Sequence, residues 1–435
     1  MSQKTLLDAI TRRNALKLLL ASFASAPAKT PASNKKPKKV VIIGGGFAGA
    51  TFARSLRILD KSIEITLIEP NKIYHTCILG AEYLIGRRSA NSLTFSYKTL
   101  TSNYQINVVH DYATLIDHES KRVFTKEAGA FSYDRCIVAS GIGFHYEAID
   151  GYSKEVAERI PHAWQGGHQH SLLKNQISNM TDGGVIIITA PPDDYKCPPG
   201  PYERASLIAE YLKINKPRSR IIILDSKDSF PKQQQFESAW EKLYGYGTSH
   251  SYINWIGRKQ GGTILAVDER HLEITTDFGK IKGNVINIVP PQHADTFSYK
   301  NGLAQQYNWC PVNTKTFESL LIPEIHIIGD SAYAEMLPKS AFAAACQARV
   351  CAIAIYSLFK EQEPPDPEFM NVCYSLCAEN YGISVLISYL RDKNTNILEI
   401  NNLKNTPITS TDEHHLKESE AAYSMFNTIT SEAFG

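Results

Sequence analysis

Continuous apolar runs and helical segments alternate along the first part of the chain. Residues 39–43 (KVVII) and 63–68 (IEITLI) are apolar runs bounded by turn residues, which is typical of parallel strands buried on both faces. The segment between them, through Arg57, predicts a helix. This order of strand, helix and strand predicts a βαβ unit.

The same alternation returns further along the chain. Residues 184–190 and 220–225 predict two more strands with a helix at 201–214 between them, and residues 133–138 and 325–328 predict strands that enter Gly turns. No internal repeat interrupts this pattern. We therefore expect an α/β fold with two Rossmann-like dinucleotide-binding domains.

The turn after the first strand is rich in glycine. Gly44 suits the tight turn, Gly46 lets the backbone approach a pyrophosphate, and Gly49 lets the helix pack closely on the strand. Glu69, at the end of the second strand, is placed to bond a ribose hydroxyl. The alternative is an ordinary βαβ turn, but the surrounding pattern of strands and helix favours a dinucleotide site.

The corresponding turn of the second βαβ unit has a different composition. Residues 190–200 read APPDDYKCPPG. Prolines lack N–H donors and an acidic pair repels phosphate, so a nicotinamide dinucleotide is disfavoured there. Cys197 stands in this loop, at the carboxyl end of a parallel sheet where binding sites commonly lie. A structural cysteine is the alternative.

Two further turns favour FAD over NAD. Gly141 follows the strand at 133–138, and Gly329 and Asp330 follow the strand at 325–328. Both segments resemble those of glutathione-reductase-like flavoproteins with two dinucleotide domains, in which the Gly-Asp pair approaches the ribityl chain of the flavin. The resemblance implies FAD as the cofactor.

The first residues resemble an export signal. Arg12 and Arg13 form a twin-arginine pattern, followed by a short apolar segment and a linker rich in Pro and Lys. We expect residues 1–32 to be signal peptide and linker and the mature protein to be periplasmic. An amphipathic helix with incidental arginines is the alternative. No run of about 18 apolar residues stands out, so we expect no transmembrane segment.

Composition and charge narrow the range of functions. The 435 residues, 43% of them hydrophobic, suffice for two or three domains with cores of their own. A formal net charge of +2 argues against binding of nucleic acid. Eight cysteines include no CxxCH motif, so any haem belongs to another chain. The 13 histidines show no metal-ligand spacing, so we expect them to be solvated and expect no metal site.

Several motifs together resemble the flavoprotein subunit of flavocytochrome c sulfide dehydrogenase, over essentially the whole mature length. CPPGPYERAS, at residues 197–206, is the most specific of them. Sulfide:quinone oxidoreductase shares the architecture but not this combination. The motifs are VVIIGGGFAGA, IEPNKIYHTCILG, PHAWQGG, CPPGPYERAS, PVNTKTFES, IIGDSAYAEMLPKS, CYSLCAENYGIS and AFG.

The resemblance implies roles for four residues. Cys77 lies where that family attaches its flavin covalently, and Cys197 and Cys373 lie where it forms a redox-active disulfide. Glu203, six residues beyond Cys197, is a candidate proton handler. Cys377 would lie one helical turn from Cys373, so either could face Cys197, and the family position favours Cys373.

The leading hypothesis is an FAD-dependent sulfide dehydrogenase. Sulfide would attack the disulfide to give a persulfide and a free thiolate, and the flavin would pass electrons singly to a separate c-type cytochrome. One alternative is a sulfide:quinone oxidoreductase at a membrane surface, but Ser384–Leu390 is too short an amphipathic segment for stable binding there. The other is a flavin-binding scaffold without turnover.

Met425 departs from the family pattern, which has an aromatic residue near this position, and a tolerated apolar exchange is the simpler explanation.

The resemblance and the predicted elements together suggest domain bounds. The expected divisions are the signal and linker at 1–32, an FAD-binding domain at 36–150 and 292–362, a nicotinamide-domain-like module without nicotinamide at 151–291, and a C-terminal interface domain at 363–435.

Overall fold

The computed structural model describes residues 36–304, 308–392 and 397–435. The predicted export signal at 1–32 lies outside these residues and stays a prediction. The strands are β1 (Lys39–Ile43), β2 (Glu64–Ile68), β3 (Ile73–His75), β4 (Thr94–Ser96), β5 (Asn107–Val109), β6 (Ala113–Asp117), β7 (Arg122–Thr125), β8 (Ala130–Ser132), β9 (Arg135–Val138), β10 (Ile142–Phe144), β11 (Val185–Ala190), β12 (Arg220–Asp225), β13 (Ile253–Ile256), β14 (Ile264–Asp268), β15 (Glu273–Thr276), β16 (Gly279–Lys282), β17 (Val285–Asn287), β18 (Gln292–Ala294), β19 (Cys310–Pro311), β20 (Ile325–Ile327), β21 (Ala332–Tyr333), β22 (Phe369–Ala378), β23 (Tyr381–Arg391) and β24 (Leu398–Asn405). The helices are α1 (Phe47–Leu59), α2 (Gly80–Leu84), α3 (Lys98–Ser102), α4 (His168–Asn179), α5 (Gly200–Asn215), α6 (Gln233–Tyr244), α7 (Thr296–Lys300), α8 (Ala341–Phe359) and α9 (Asp412–Phe434).

The first apolar run forms the central strand of a five-stranded parallel sheet. Its strand order is β20-β9-β1-β2-β5, so strands from both halves of the chain lie side by side. Val40, Val41, Ile42 and Ile43 are all buried. Burial on both faces explains why this strand reads as a continuous apolar run and not as an alternating one.

The second βαβ unit forms a separate four-stranded parallel sheet, in the order β13-β12-β11-β17. Helix α5 connects β11 to β12, and its bounds agree with the predicted helix to within one residue at each end. The two parallel sheets confirm the expected α/β fold class. The expected domain bounds stay predictions.

The C-terminal region differs from what the sequence indicated. Strands β22, β23 and β24 form an antiparallel sheet, and α9 packs on it. Cys373 and Cys377 both lie on β22, so they are not one helical turn apart. Ser384–Leu390, considered above as an amphipathic segment, is part of strand β23.

Helix α8 also corrects the sequence analysis. Its 19 residues have a mean hydropathy of 1.6 and are long and apolar enough to cross a membrane, although no such run was noticed in the sequence. In the structure α8 packs against α1 and β22, and 56% of its most apolar window is buried. It is therefore a core helix, and Arg349 within it pairs with Glu432 of α9.

Candidate active site

Cys197 lies in a loop that the backbone holds firmly at the carboxyl end of β11. Its φ of +55° is in the left-handed region, which costs energy for a residue other than glycine and often marks functional sites. The N–H of Cys197 donates to the carbonyl of Lys339 (2.8 Å), and the N–H of Gly200 donates to the carbonyl of Cys197 (2.8 Å). These bonds fix the thiol just before the first turn of α5.

Strand β22 brings Cys373 to the same place. Burial raises the pKa of the Cys197 thiol, and the nearby Cys373 raises it further. Both are free thiols in the structure. Cys377 is fully buried further along β22, where the hydroxyl of Tyr244 donates to its carbonyl (2.5 Å). Cys373 therefore lies near Cys197.

Glu203 completes this cluster from the first turn of α5. The N–H of Leu376 donates to its Oε1 (2.9 Å), which ties α5 to β22. Burial raises the pKa of Glu203 from its usual value of 4.5 to about 6, and the bond from Leu376 limits the rise. The carboxyl group can therefore take up or release a proton near neutral pH.

Trp164 connects the loop of Cys77 to the loop of Cys197. The Sγ of Cys77 lies 3.3 Å from the carbonyl oxygen of Trp164, and the indole Nε1 of Trp164 donates to the carbonyl of Lys196 (2.8 Å). The guanidinium of Arg204 lies over the indole ring, 4.7 Å from its centroid. The motifs YHTC, PHAWQGG and CPPGPYERAS, distant in sequence, therefore meet at one site.

Lys196 adds a partly exposed positive charge between these loops. Burial alone would lower its pKa, but the negative potential of Cys77 and Asp330 more than offsets that effect, so the pKa of Lys196 is raised. The ammonium therefore stays charged at neutral pH. A permanent cation beside Cys77 and Asp330 favours an anionic or electron-rich ligand there.

The glycine-rich turn after β1 has the close contacts that its sequence predicts. A Cβ on Gly49 would lie 1.9 Å from the carbonyl oxygen of Gly44, so only glycine allows α1 to pack this close. A Cβ on Gly46 would meet its nearest neighbour, Tyr74, only at 3.7 Å. Glu69 accepts a hydrogen bond from the N–H of Gly45 (2.8 Å), which places its carboxylate at the turn. The backbone of this turn at Gly46 is therefore accessible to a ligand.

The loop after β11 is filled by its own side chains instead. Tyr195 and Tyr202 are both almost fully buried there. Asp225, at the end of β12, accepts hydrogen bonds from the Tyr202 hydroxyl (2.5 Å), the Trp255 indole (3.0 Å) and the Lys227 ammonium (2.7 Å). A carboxylate at this strand end holds the ribose in many dinucleotide domains, and here it is engaged within the protein.

Three family models match the described chain. Residues 170–290 match the central part of the sulfide dehydrogenase (flavocytochrome c) flavoprotein chain, and residues 365–434 match the flavin-binding part of flavocytochrome c sulphide dehydrogenase. Residues 38–173 match the pyridine nucleotide-disulphide oxidoreductases. A stretch of 40 residues is 55% identical to the sulfide dehydrogenase flavoprotein chain of Chlorobaculum thiosulfatiphilum, covering 9% of this chain and 83% of that sequence.

A longer relative extends the match. The mitochondrial sulfide:quinone oxidoreductase of Dictyostelium discoideum is 22% identical over 361 residues, 76% of this chain and 77% of that one. The chain belongs to the family of flavocytochrome c sulfide dehydrogenase flavoproteins and sulfide:quinone oxidoreductases. The crystal structure of the sulfide:quinone oxidoreductase from Aquifex aeolicus has the same fold, with a TM-score of 0.70 at 17% identity over 91% of this chain and 92% of that one.

This member of the family is a flavin-dependent sulfide oxidoreductase with FAD as its cofactor, and its residues fit that cofactor. Gly141 has a φ of +80°, and a Cβ added to it would meet no heavy atom of the described residues within 4 Å. The hydroxyl of Ser331 donates to the carbonyl of Gly141 (2.5 Å), which joins the ends of β9 and β20. Gly329 has a φ of +79°, and the buried Oδ1 of Asp330 has no hydrogen-bond partner among the described residues. The flavin's ribityl hydroxyls would satisfy that oxygen.

Lys339 connects this cofactor edge to the loop of Cys197. Its ammonium donates to the carbonyls of Asp330 (3.0 Å) and Ala332 (2.9 Å) and lies 3.6 Å from the centroid of the Trp309 ring. Burial lowers the pKa of Lys339 to about 8. Since its own carbonyl accepts the N–H of Cys197, Lys339 fixes the distance between the two loops.

Sequence reasoning missed several residues of this site. Lys232, Trp164, Arg204 and Lys339 were not singled out, although the last three lie inside the family motifs. His162 was expected to be solvated and is instead 2% exposed; burial lowers its pKa to about 3, so it is neutral. Its Nδ1 accepts the N–H of Trp164 (2.9 Å), which shapes the loop beneath the site.

Proposed function

We propose that this flavoprotein oxidises hydrosulfide through a disulfide between Cys197 and Cys373 and passes the electrons to a c-type cytochrome. The meeting of Cys373, on β22, with Cys197 and Glu203, which lie six residues apart at the start of α5, is the observation that carries the proposal. Burial raises the pKa of Cys197 most, and Cys373 lies close enough to raise it further; the pKa of Glu203 near 6 supports its role with protons. We further propose that Cys77 links the flavin covalently.

The position of the two thiols relative to the cofactor decides which sulfur is attacked and which one leaves. The N–H of Cys197 donates to the carbonyl of Lys339, whose ammonium donates to the carbonyl of Asp330, so we assign Cys197 to the flavin and Cys373 to the substrate. Hydrosulfide attacks the Sγ of Cys373 and forms a new S–S bond there. The bond between Cys373 and Cys197 breaks, and its electron pair leaves on the sulfur of Cys197.

Glu203 and Lys196 would stabilise the charges that form in this step. The carboxylate of Glu203 takes the proton that the attacking sulfur releases, and Lys196 stabilises the thiolate of Cys197, whose pKa its charge lowers against the effect of burial. FAD, when bound, accepts the electron pair and can release it one electron at a time.

Two regions of the chain favour a cytochrome as the electron acceptor: the loop after β11 and the C-terminal residues 365–434. The loop after β11 is occupied by Tyr195 and Tyr202, which disfavours NAD⁺. The C-terminal residues 365–434 match the flavin-binding model of the flavocytochrome c enzymes. With no CxxCH motif in the sequence, the haem would be carried by a separate chain, and the twin-arginine pattern suggests that the two meet in the periplasm.

Reduction of a quinone is the second candidate. It is favoured by the sulfide:quinone oxidoreductases of Dictyostelium discoideum and Mus musculus, which are 22% and 21% identical and each match 76% of this chain. The two candidates share the sulfide chemistry and differ only in the acceptor.

The test reduces the holoprotein with sulfide without oxygen and then mixes it, in parallel, with a soluble c-type cytochrome, a water-soluble quinone or NAD⁺. We expect sulfide to bleach the flavin and the cytochrome to restore its colour fastest. Fast reoxidation by quinone with no reaction toward cytochrome would replace the first candidate by the second. Failure of sulfide to bleach the flavin would overturn both.

A further inference from the structure

Lys232 places a buried ammonium directly against Cys373. It precedes α6 with a φ of +62° and is 7% exposed. Its Nζ donates to the hydroxyl of Ser375 (2.8 Å) and the carbonyl of Cys373 (3.1 Å), and lies 3.7 Å from the Sγ of Cys373. The side chain therefore spans from the start of α6 to the sulfur on β22, 141 residues away.

The two oxygens that accept hydrogen bonds from Lys232 are neutral, so they do not supply a counter-ion for its buried ammonium. Burying an ammonium is costly unless an anion lies nearby, and the structure gives Lys232 no ion pair with any described carboxylate. Its charge does act on Glu203, whose pKa it lowers against the larger effect of burial. Of the groups that its Nζ touches, only the sulfur of Cys373 can become negatively charged.

A groove leads to Lys232 from the surface. It has a volume of about 480 Å³ and lies between the start of α6 and the end of β24. Its lining is polar and consists of Lys232, Gln233, Gln234, Gln235, Glu237 and Asn405. Lys232 thus belongs both to the wall of an open groove and to the surroundings of Cys373.

We propose that Lys232 is a catalytic residue that binds hydrosulfide at the inner end of this groove and then holds the sulfur added to Cys373. Hydrosulfide gives an electron pair to the Sγ of Cys373, the bond to Cys197 breaks, and the pair leaves on Cys197. Once Glu203 takes the proton, the terminal sulfur on Cys373 carries one negative charge, which the ammonium offsets. This inference rests on the proposed function.

The experiment compares two nucleophiles that differ in charge, using the oxidised holoprotein. One is hydrosulfide, followed by flavin bleaching in stopped flow. The other is tris(hydroxymethyl)phosphine, a neutral reductant of disulfides, followed by quenching with a maleimide and counting new thiols by mass. The variants are Lys232→Met, which keeps the length without charge, Lys232→Arg, and Lys242→Met as a control. Lys242 lies on the same helix, at the surface, where it pairs with Asp412.

We expect Lys232→Met to slow the reaction with hydrosulfide by about tenfold or more and to leave the phosphine reaction within about twofold, because only the anion interacts with the ammonium. Lys232→Arg should recover most of the hydrosulfide rate, and Lys242→Met should match wild type. Equal slowing of both nucleophiles would show a purely structural role for Lys232. An unchanged hydrosulfide rate would overturn the proposal outright.

A second measurement separates this proposal from the proposed function. After reduction of the disulfide by the phosphine, Cys373 is alkylated with iodoacetamide at neutral pH and followed by peptide mass. Wild type should react about tenfold faster than Lys232→Met, since the ammonium 3.7 Å from the Sγ attracts negative charge on the reacting sulfur. Should sulfide fail to bleach wild-type flavin, the proposed function fails, while this alkylation ratio still decides whether the ammonium acts on Cys373. Equal alkylation rates would overturn the contact.

Discussion

The turns after β1 and β11 occupy equivalent positions in two βαβ units, yet they differ in what fills them. After β1, Gly44 and Gly49 contact each other closely, Gly46 has free space above it, and the chain leaves backbone open. After β11, the buried Tyr195 and Tyr202 take the place that a ligand would need. The topology is the same, and the side chains of the turn decide whether a dinucleotide can enter.

Two carboxylates at strand ends of the two parallel sheets differ in the same way. Asp330, which follows β20, keeps a buried oxygen without a partner among the described residues, whereas Asp225 at the end of β12 has three donors on its oxygens. The first unit is built to be completed by a cofactor, and the second is complete by itself. The loop of the second unit carries Cys197, to which we assign redox chemistry under the proposed function.

The largest expected effect concerns the first unit. Cys77→Ala should release all of its flavin when the protein is denatured in acid, because the proposed thioether is then absent. In wild type and in Cys346→Ala, a cysteine change on α8, the yellow colour should stay with the precipitated chain. Flavin that separates freely from wild-type protein would show that Cys77 does not hold it.

In the loop of the second unit and on the strand β22 next to it, Cys197→Ala and Cys373→Ala should each lower sulfide-driven flavin reduction by more than about 10⁴-fold, since each removes a bond-forming sulfur. FAD content should stay at one per chain, because the cofactor edge belongs to the other sheet. Stopped-flow bleaching and the visible spectrum measure the two quantities. If Cys377→Ala were inactive and Cys373→Ala active, the assignment on β22 would be wrong.

Glu203→Gln should slow flavin reduction by about 10²–10⁴-fold, the usual contribution of proton transfer. In wild type the rate, corrected for hydrosulfide concentration, should rise through pH 6 as Glu203 ionises, and the glutamine variant should lack this rise.

The same carboxyl should affect the pH dependence of stability. A carboxyl whose folded pKa is raised from 4.5 to about 6 contributes stability below pH 4.5 that is lost as the pH passes 6. Thermal unfolding of the variant should therefore lose less stability between pH 5 and 7. Parallel pH profiles for both proteins would contradict the role.

The smallest effects concern Asp330 and Asp225, the two strand-end carboxylates compared above. In a Cys77→Ala background, Asp330→Ala should weaken FAD binding by about tenfold or more with little change in stability, since its orphaned oxygen awaits a ligand. Asp225→Asn should lower the free energy of unfolding by about 1–3 kcal/mol and leave FAD binding unchanged, because its partners are internal. Titration with FAD and denaturant unfolding measure both. The reverse pattern would break the comparison between the units.

Local patterns allowed most of the fold to be predicted. The strands at 39–43 and 220–225 match their predicted bounds fully, because strands buried on both faces leave an unbroken apolar run. The segment around Cys373 was misjudged as helical, since apolar residues there follow neither a period of two nor one of 3.6 clearly. The apolar character of α8 was overlooked because Gln347 and Arg349 interrupt it.

The site could be predicted only where chemistry is concentrated in a motif. Cys77, Cys197 and Glu203 lie in distinctive stretches, and the family resemblance pointed to them. Lys232 carries no local signal, because its significance arises from a contact with a residue 141 positions away. Contacts of that separation depend on the register of a sheet and the packing of a helix, which no local pattern encodes.

The last helix packs against the first unit of the chain, and this has a consequence for when the protein can mature. Phe434 stacks on Tyr74 (5.0 Å) and Phe95 (5.2 Å), and Arg54 of α1 donates to the carbonyl of Ser431 (2.5 Å). The chain must therefore be synthesised as far as Phe434 before these rings can pack together. Contacts of such sequence separation form slowly, so we expect this side of the first unit to close late in folding and flavin to be acquired by a chain that is already folding as a whole.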